Sequence, residues 1–349
     1  MRIVVFAPNL IGDTVMASPF LRSLRLGYPR AEIDVVIKPH VAPTLDGAPW
    51  IDRIVPFAPK AKDPAHRSMA LIRHLRKTRY DLAILLPNSF RSALMARLGN
   101  VKRRVGYSRG GRGVLLTDRL KPSSSIKGKF VPTPVVEYYL ALAKHLGCPV
   151  DSLRLELFTT HNDESAADRA WERLGLPFYG PVVTMNTGGA FGPAKSWPTG
   201  HFAALAVRLA EEAGVSVLVV CGPGERSSAL EIVRKANHPR VKSLADEPMS
   251  IGLTKACVRR SALMISTDSG PRHFAAAFGV PIVSLFGPTH IAWTRTYHTQ
   301  AVHLQQPVPC GPCQKGICPL GHHRCMVELT PDSVFRAAMR LLGRRVNAP

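Results

Sequence analysis

The chain has 349 residues, more than a single hydrophobic core usually organises, so we expect two domains. Hydrophobic residues make up 46% of it, but no apolar run approaches the ~18–20 residues of a membrane-spanning helix, so we expect no transmembrane segment. The formal net charge of +22 favours partners that are anionic.

The first half of the chain alternates predicted strands with predicted helices. A strand over residues 1–7 leads through a turn to a helix that starts near Asp13. Because this strand begins at the first residue, no room is left before it for a signal peptide, and we expect a cytoplasmic protein. Further strands over 32–37 and 82–86, with a helix over 69–78 between them, predict a parallel sheet.

The second half repeats this alternation. Strands are predicted over 181–185, 215–221 and 263–266, and helices over 199–213, 227–236 and 331–342. The whole pattern predicts the α/β class, with two similar doubly wound domains that comprise residues 1–165 and residues 166–349.

Positive charge is concentrated in one part of the chain. Residues 60–129 contain 18 Lys and Arg side chains, against Asp63, Asp81 and Asp118 as the acidic ones. Such a region attracts nucleic acid, an anionic membrane surface or a phosphorylated substrate, or it is simply a solvated basic face. Its aromatic residues are few and widely spaced, unlike those that stack on bases, so phosphates on a lipid or sugar are favoured over nucleic acid.

Asp13 follows the turn after the first predicted strand. Open α/β sheets bind ligands beyond the carboxyl ends of their strands, so a carboxylate at this position can act as a general base. The alternative is that Asp13 only caps the helix that follows, since Asp side chains accept backbone N–H bonds at helix starts.

Two glycine-bearing loops follow strands of the second half. Thr187, Gly188 and Gly189 precede Lys195, and glycines let backbone N–H groups approach an anion to which a lysine adds positive charge. We therefore predict a phosphate site there, the alternative being a solvated lysine. Glu225, in the second loop, either bonds a ribose or sugar hydroxyl or merely favours the start of a helix through the macrodipole.

A third loop carries the densest set of polar residues. Asp268, Ser269, Gly270 and His273 end one predicted strand and open a helix of small residues. Backbone N–H groups at that helix start could hold a diphosphate, with the polar side chains turned towards sugar hydroxyls. A lone histidine at such a position is otherwise structural.

Four cysteines are clustered near the end of the chain, in the segment 310–325. The spacing C-x₂-C-x₄-C-x₆-C is tight enough for four thiolates to share one structural zinc ion, and the ligands would be Cys310, Cys313, Cys318 and Cys325. A cluster without metal and an iron–sulfur centre are the alternatives. Structural disulfides do not fit a cytosolic chain.

Taken together, these motifs resemble the ADP-heptose:lipopolysaccharide heptosyltransferases, glycosyltransferase family 9, and most closely their heptosyltransferase II branch. The resemblance covers nearly the whole chain. It is carried by Gly12-Asp13, Arg104-Val105-Gly106-Tyr107, Leu115-Leu116-Thr117, Glu137-Tyr138-Tyr139, Lys195-Ser196-Trp197-Pro198, the block Thr267 to His273, and Phe286-Gly287-Pro288-Thr289. Arg272 departs from the pattern, because family members often carry Met or another apolar residue there.

The resemblance implies a GT-B fold: two Rossmann-like domains facing a cleft, with the acceptor on the first domain and the nucleotide sugar on the second. It implies an inverting reaction that needs no cofactor or catalytic metal. Asp13 would be the catalytic base, and Lys195 would offset charge on the departing diphosphate. The residues that would bind the donor are Thr187, Gly188, Glu225, Met249, Asp268, Ser269, Gly270 and His273.

The implied partners are an ADP-heptose donor and a phosphorylated lipid A-core acceptor at the inner leaflet of the inner membrane, where the basic region would make the enzyme peripheral. Four basic candidates for acceptor binding are Arg103, Arg104, Arg109 and Arg112. Two alternatives remain open: a related GT-B transferase that uses another nucleotide sugar for a different surface glycan, and a basic nucleic-acid-binding protein with a zinc module.

Overall fold

The computed structural model describes residues 1–122, 132–178, 180–189 and 191–346. The chain divides into two compact units. The first unit comprises Met1–Phe158 and Ala292–Thr296, and the second comprises Thr159–Ile291 and Tyr297–Pro349.

The first unit is built on one parallel sheet. Its strands are β1 (Arg2–Phe6), β2 (Glu32–Ile37), β3 (Arg53–Pro56), β4 (Leu82–Leu85), β5 (Arg103–Tyr107) and β6 (Asp118–Leu120), and its helices are α1 (Ile11–Met16), α2 (Ser18–Gly27), α3 (Ser68–Thr78), α4 (Phe90–Leu98) and α5 (Val135–His145). The strands lie in the order β3-β2-β1-β4-β5-β6. The strand order therefore switches between β1 and β4: β2 and β3 lie on one side of β1, and β4 to β6 lie on the other. Parallel sheets bind ligands at such a switch point.

The second unit repeats this topology. Its strands are β7 (Val182–Asn186), β8 (Ser216–Val220), β9 (Val241–Ser243), β10 (Leu263–Thr267), β11 (Ile282–Phe286) and β12 (Ala301–Gln305), and its helices are α6 (His161–Leu174), α7 (Thr199–Glu212), α8 (Arg226–Ala236), α9 (Ile251–Arg259), α10 (Arg272–Phe278), α11 (Arg324–Val327) and α12 (Pro331–Val346). The order β12-β11-β10-β7-β8-β9 places the switch point between β7 and β10. The predicted α/β class with two similar doubly wound halves is confirmed.

The central strands of both sheets are almost entirely buried. Every residue of β7, β10 and β11 is buried, as are the last four residues of β1. Parallel strands covered by helices on both faces are buried along their whole length rather than on alternate residues, so the few polar residues of these strands are buried with the apolar ones. The rigid sheets fix the positions of the loops that follow each strand.

The two units meet in sequence between Phe158 and Thr159, whereas the predicted boundary at 165/166 falls inside α6. Helix α6 belongs to the second unit because it packs on α9: the carboxylate of Glu164 is 2.6 Å from Arg260 and 2.9 Å from Arg259. Only three of its residues are fully buried, so its apolar pattern is weak and the boundary could not be read from it.

The return of residues 292–296 to the first unit was not predicted, because no change in composition marks it. In the part of the chain that the structure describes, no helix has both the length and the apolar character needed to cross a membrane.

A close contact between α6 and α9 yields a stability prediction. A Cβ atom added at Gly252 would overlap the carboxylate of Asp163, which accepts the Thr160 N–H in the capping box of α6. We expect Gly252→Ala to lower the free energy of unfolding by about 1–3 kcal/mol, the usual cost of overpacking. Chemical denaturation of the purified variant measures it.

The matched control is Gly200→Ala. Gly200 is also helical, but a Cβ there would meet nothing within 4 Å. Alanine has the higher helix propensity, so this variant should be as stable as the parent or more stable by up to about 1 kcal/mol. Equal losses in both variants would contradict the steric explanation.

Candidate active site

The segments after β7, β8, β10 and β11 of the second unit meet at the carboxyl edge of the sheet. We call the segments 187–189, 191–195, 222–225, 268–273 and 287–289 the strand-end cluster. The side chain of Asn186, the last residue of β7, joins two of these loops. Its Nδ2 donates to Ser269 Oγ at 2.8 Å and to the Gly188 carbonyl at 3.0 Å. Sequence reasoning had given Asn186 no role.

Glycines allow these loops to approach each other closely. A Cβ at Gly188 would overlap the carboxylate of Glu225, and a Cβ at Gly189 would lie 2.8 Å from the Cβ of Ser269. The structure thus brings together three of the predicted donor-binding positions, Gly188, Glu225 and Ser269. The Glu225 carboxylate also accepts the Gly222 N–H at 2.8 Å, so it stabilises the turn after β8 as well.

Asp268 is the centre of a buried ion cluster. Its carboxylate accepts from Lys195 Nζ at 2.6 Å, from Arg272 Nε at 3.1 Å and from the Thr289 hydroxyl at 2.7 Å. Lys195 also donates to the Asp268 carbonyl at 2.9 Å and lies 4.5 Å from the centroid of the Phe191 ring. In this structure Asp268 therefore holds Lys195 and Arg272, whereas its predicted contact with a sugar hydroxyl stays a prediction.

The neighbouring cations determine the ionisation of this aspartate. Burial alone would raise the pKa of Asp268, but the charges of Arg272 and Lys195 outweigh it and hold the pKa far below its usual value. The carboxylate is consequently charged throughout the neutral range. It compensates Arg272, whose side chain is 1% exposed and whose pKa is lowered by burial.

Two buried polar atoms beside this cluster have no partner among the described residues: Thr187 Oγ1 and His273 Nδ1. Burial, followed by the positive charge of Arg272, lowers the pKa of His273 well below its usual value, so its ring is neutral at neutral pH. Leaving a buried polar group unpaired costs about 1–3 kcal/mol. A polar ligand that reached these atoms would remove that cost, as expected of a ligand site.

The remaining predicted donor residues are Gly270 and Met249. Gly270 lies in the strand-end cluster, where its carbonyl accepts the His273 N–H at 3.0 Å. Met249 lies between β9 and α9, half-buried against the hydrophobic core. Its predicted contact with adenine stays a prediction.

The first unit contains a separate cavity of about 390 Å³ next to Asp13. Leu10 occupies the N-cap position of α1, and Asp13 lies in the first turn, so the helix start does not depend on Asp13 as its cap residue. The cavity is lined by Asn9, Leu10, Asp13, Asn88, Arg109, Tyr138, Tyr139 and Trp293, among others. A half-buried carboxylate that borders a cavity fits the geometry required of a general base.

Aromatic stacking makes one wall of this cavity rigid. The ring of Tyr138 stacks on that of Tyr107 with centroids 3.7 Å apart, and its hydroxyl donates to Asn88 Oδ1 at 3.1 Å. Sequence reasoning gave no role to Asn88 or Trp293. The position of Asn88 just after β4 could have identified it from the sequence. No sequence feature marks Trp293, because it is far from Asp13 in the chain.

The four predicted acceptor-binding arginines have different surroundings. Arg104 and Arg112 are buried and donate to backbone carbonyls of their own unit, and Arg112 also donates to Asn88 Oδ1, so their predicted role in binding the acceptor stays a prediction that burial disfavours. Burial lowers the pKa of Arg112 to about 10. Arg103 pairs with Asp118 at 2.7 Å, and Arg109 lines the Asp13 cavity, which keeps Arg109 as the best-placed candidate.

The cysteines proposed as zinc ligands, Cys310, Cys313, Cys318 and Cys325, are free thiols in the structure. Backbone N–H groups, first that of His323, lower the pKa of the Cys318 thiol, whereas burial raises the pKa of Cys325. Across residues 1–122, 132–178, 180–189 and 191–346, no group of three or more His, Cys, Asp or Glu side chains is arranged to hold a metal ion. Structural zinc stays a prediction from spacing alone.

Comparison with known proteins gives a consistent result. Residues 68–323 match the family model described as glycosyltransferase family 9 (heptosyltransferase). Lipopolysaccharide heptosyltransferase 2 of Escherichia coli (strain K12) is 29% identical to the chain, with 98% of the chain and 99% of that protein covered. Lipooligosaccharide heptosyltransferase 2 of Haemophilus ducreyi is 28% identical, with 98% of the chain and 100% of that protein covered.

Solved structures agree on the fold. The structure of E. coli ADP-heptose lipopolysaccharide heptosyltransferase II superposes with a TM-score of 0.81 at 27% identity, covering 99% of the chain and 100% of that protein. A family 9 glycosyltransferase from Veillonella parvula gives a TM-score of 0.83 at 23% identity, covering 98% and 97%. These neighbours confirm the GT-B fold expected from the sequence.

The ion cluster around Asp268 should contribute strongly to stability. Asp268→Asn removes the negative charge that compensates buried Arg272, and we expect a loss of about 3–5 kcal/mol in the free energy of unfolding. Denaturant titration of the variant against the parent measures it.

The control is the double variant Asp268→Asn, Arg272→Met, in which the uncompensated guanidinium is also removed. We expect it to regain at least about 1 kcal/mol relative to Asp268→Asn, because breaking a buried pair costs more than replacing it. If the double variant loses as much free energy of unfolding as Asp268→Asn and Arg272→Met lose separately in sum, the pair is not coupled.

Proposed function

The chain belongs to glycosyltransferase family 9, and from this we propose that it transfers heptose from ADP-L-glycero-D-manno-heptose to the inner core of lipopolysaccharide, with inversion at the anomeric carbon. It is a glycosyltransferase enzyme. The proposed donor and acceptor are supported by the nearly full-length likeness to proteins named heptosyltransferase 2 from several species.

In the proposed reaction the donor is held by the second unit. The unpartnered side-chain atoms of Thr187 and His273 support this assignment, as does the close packing of the glycines, which leaves no side chain between these loops. Lys195 is the group proposed to offset the charge that develops on the diphosphate as ADP departs. Fixed positive charge of this kind lowers the barrier most when it does not have to reorganise during the reaction.

The acceptor is proposed to react beside Asp13. The Asp13 carboxylate removes the proton from a heptose hydroxyl, the hydroxyl oxygen forms the new bond to the anomeric carbon, and the bond from that carbon to the diphosphate oxygen breaks. Arg109 supports the assignment, because it lines the same cavity and can bind a phosphate of the acceptor. No metal ion is needed for these steps.

We further propose that the enzyme works in the cytoplasm at the membrane surface, where its acceptor is anchored. The excess of basic residues between 60 and 129 supports this, since clustered cations are attracted to anionic lipid headgroups. Part of this charge is used internally, because Arg104 and Arg112 are buried and bond within their own unit.

The donor is tested by incubating the protein with heptose-deficient lipopolysaccharide core and a panel of nucleotide sugars. We expect product with ADP-heptose at a rate at least about tenfold above that with UDP- or GDP-sugars, because sites that bond a ligand's polar groups reject analogues that lack them. Mass spectrometry of the core oligosaccharide measures transfer. Preferred turnover of another nucleotide sugar would replace the proposed donor and leave the enzyme class intact.

The base is tested with Asp13→Asn, which keeps the size of the side chain and removes its basicity. We expect kcat to fall by about 10²–10⁴-fold, the usual contribution of a general base. Asp151→Asn, a change at an exposed carboxylate of the same unit, should retain parental kcat. Near-parental turnover by Asp13→Asn would rule out the assigned base.

A further inference from the structure

The segment that carries the four cysteines has no part in the proposed reaction, yet it contacts the loop that carries Lys195. We call residues 310–325 the cysteine segment and residues 191–195 the lysine loop. Both belong to the second unit. Their contact is made by backbone atoms, so its geometry depends on which residues lack side chains.

The first point of contact joins two glycines. The Gly316 carbonyl accepts the N–H of Ala194, the residue before Lys195, at 3.0 Å. A Cβ at Gly316 would lie 2.5 Å from the Phe191 carbonyl, closer than nonbonded atoms approach, and a Cβ at Gly192 would overlap Gly316. No side chain can enter this contact unless one of the two segments moves.

The second point of contact reaches Lys195 through Asp268. The N–H of Gln314 donates to the Pro288 carbonyl at 2.8 Å. The next residue, Thr289, donates its hydroxyl to the Asp268 carboxylate, which in turn accepts from Lys195. The cysteine segment therefore contacts the lysine loop directly. It also contacts the loop of Thr289, which bonds Asp268, the counter-ion of Lys195.

The middle of the cysteine segment lies outside the hydrophobic core, which the segment contacts at its end through Cys325. Ile317 is 74% exposed and Leu320 is 62% exposed, whereas Met326, just after the segment, is fully buried. The core thus anchors the chain beyond the cysteine segment, and the contact at Gly316 lies on its outer part. A change at Gly316 should be transmitted to the lysine loop more than to the core.

We propose that Gly316 and Gly192 are positioning residues for Lys195. They set the distance between the cysteine segment and the lysine loop, and so fix where Nζ meets the ligand. The proposal rests on the role given to Lys195 in the proposed function. Displacement of a charged group by about 1 Å can reduce turnover about 100-fold, so the position of such a loop matters for rate.

Gly316→Ala is the sharper test, because Gly192 has a φ of 135° that an alanine would strain in any case. We expect kcat to fall about ten- to a hundredfold while the KM for the donor changes less than about threefold, since the charge acts mainly as ADP departs. The melting temperature should stay within a few degrees of the parent. Ile317→Ala, at the neighbouring exposed position, is the matched control and should behave as the parent.

A second readout does not depend on the reaction. Acetic anhydride modifies lysines at rates that follow their exposure and surroundings, and peptide mass spectrometry reports Lys195 separately. Lys195 is 12% exposed and paired with Asp268, so in Gly316→Ala we expect its modification to be at least about threefold faster than in the parent. Ile317→Ala should leave the rate unchanged.

The outcomes separate the two hypotheses. Faster modification of Lys195 without heptose transfer by any form of the protein would support the positioning role and contradict the proposed function. Unchanged modification and unchanged kcat in Gly316→Ala would overturn the positioning role. If Gly316→Ala does not fold, Gly192→Ala tests the same contact from the lysine loop, and failure of both to fold would overturn the proposal in favour of a role in stability.

Discussion

The buried carboxylate of Asp268 is the interaction on which the second unit's strand-end cluster depends. It joins residues from three loops, namely Lys195, Arg272 and Thr289, and it is charged because the two cations outweigh the cost of burial. A cationic side chain near a sheet edge would normally turn to solvent. Here Lys195 is held on the inner side of its loop, which is the condition for a charge that acts without reorganisation.

The two units share one sheet topology but carry different kinds of residue at the carboxyl ends of their strands. In both, successive strands are added first to one side of the central strand and then to the other. The loops with the predicted site residues follow the strands at that switch point. The first unit places a carboxylate at this position, beside a cavity lined by aromatic rings. The second places glycines and a lysine there, with unpaired polar atoms below them. The proposed base and the proposed anion-stabilising group thus follow equivalent strands of two similar sheets.

The sequence was sufficient for the fold, because strands such as β1 and β10 consist largely of apolar residues and each precedes a recognisable loop. It led us to single out Lys195 and Asp268, but it could not show that they pair, since 73 residues separate them. The burial of Arg104 and Arg112 could not be predicted, because a basic run looks the same whether its guanidinium groups face solvent or backbone carbonyls. Trp293 could not be found at all, because its contacts are made only by the folded chain.

The chain passes between the two units three times, after Phe158, after Ile291 and after Thr296. No single cut in the polypeptide therefore yields both units intact. A fragment that ended at residue 158 would lack Trp293 and so would carry an incomplete wall around Asp13. Exchange of whole units with relatives would have to carry residues 292–296 along with the first unit, although in sequence they lie deep inside the second.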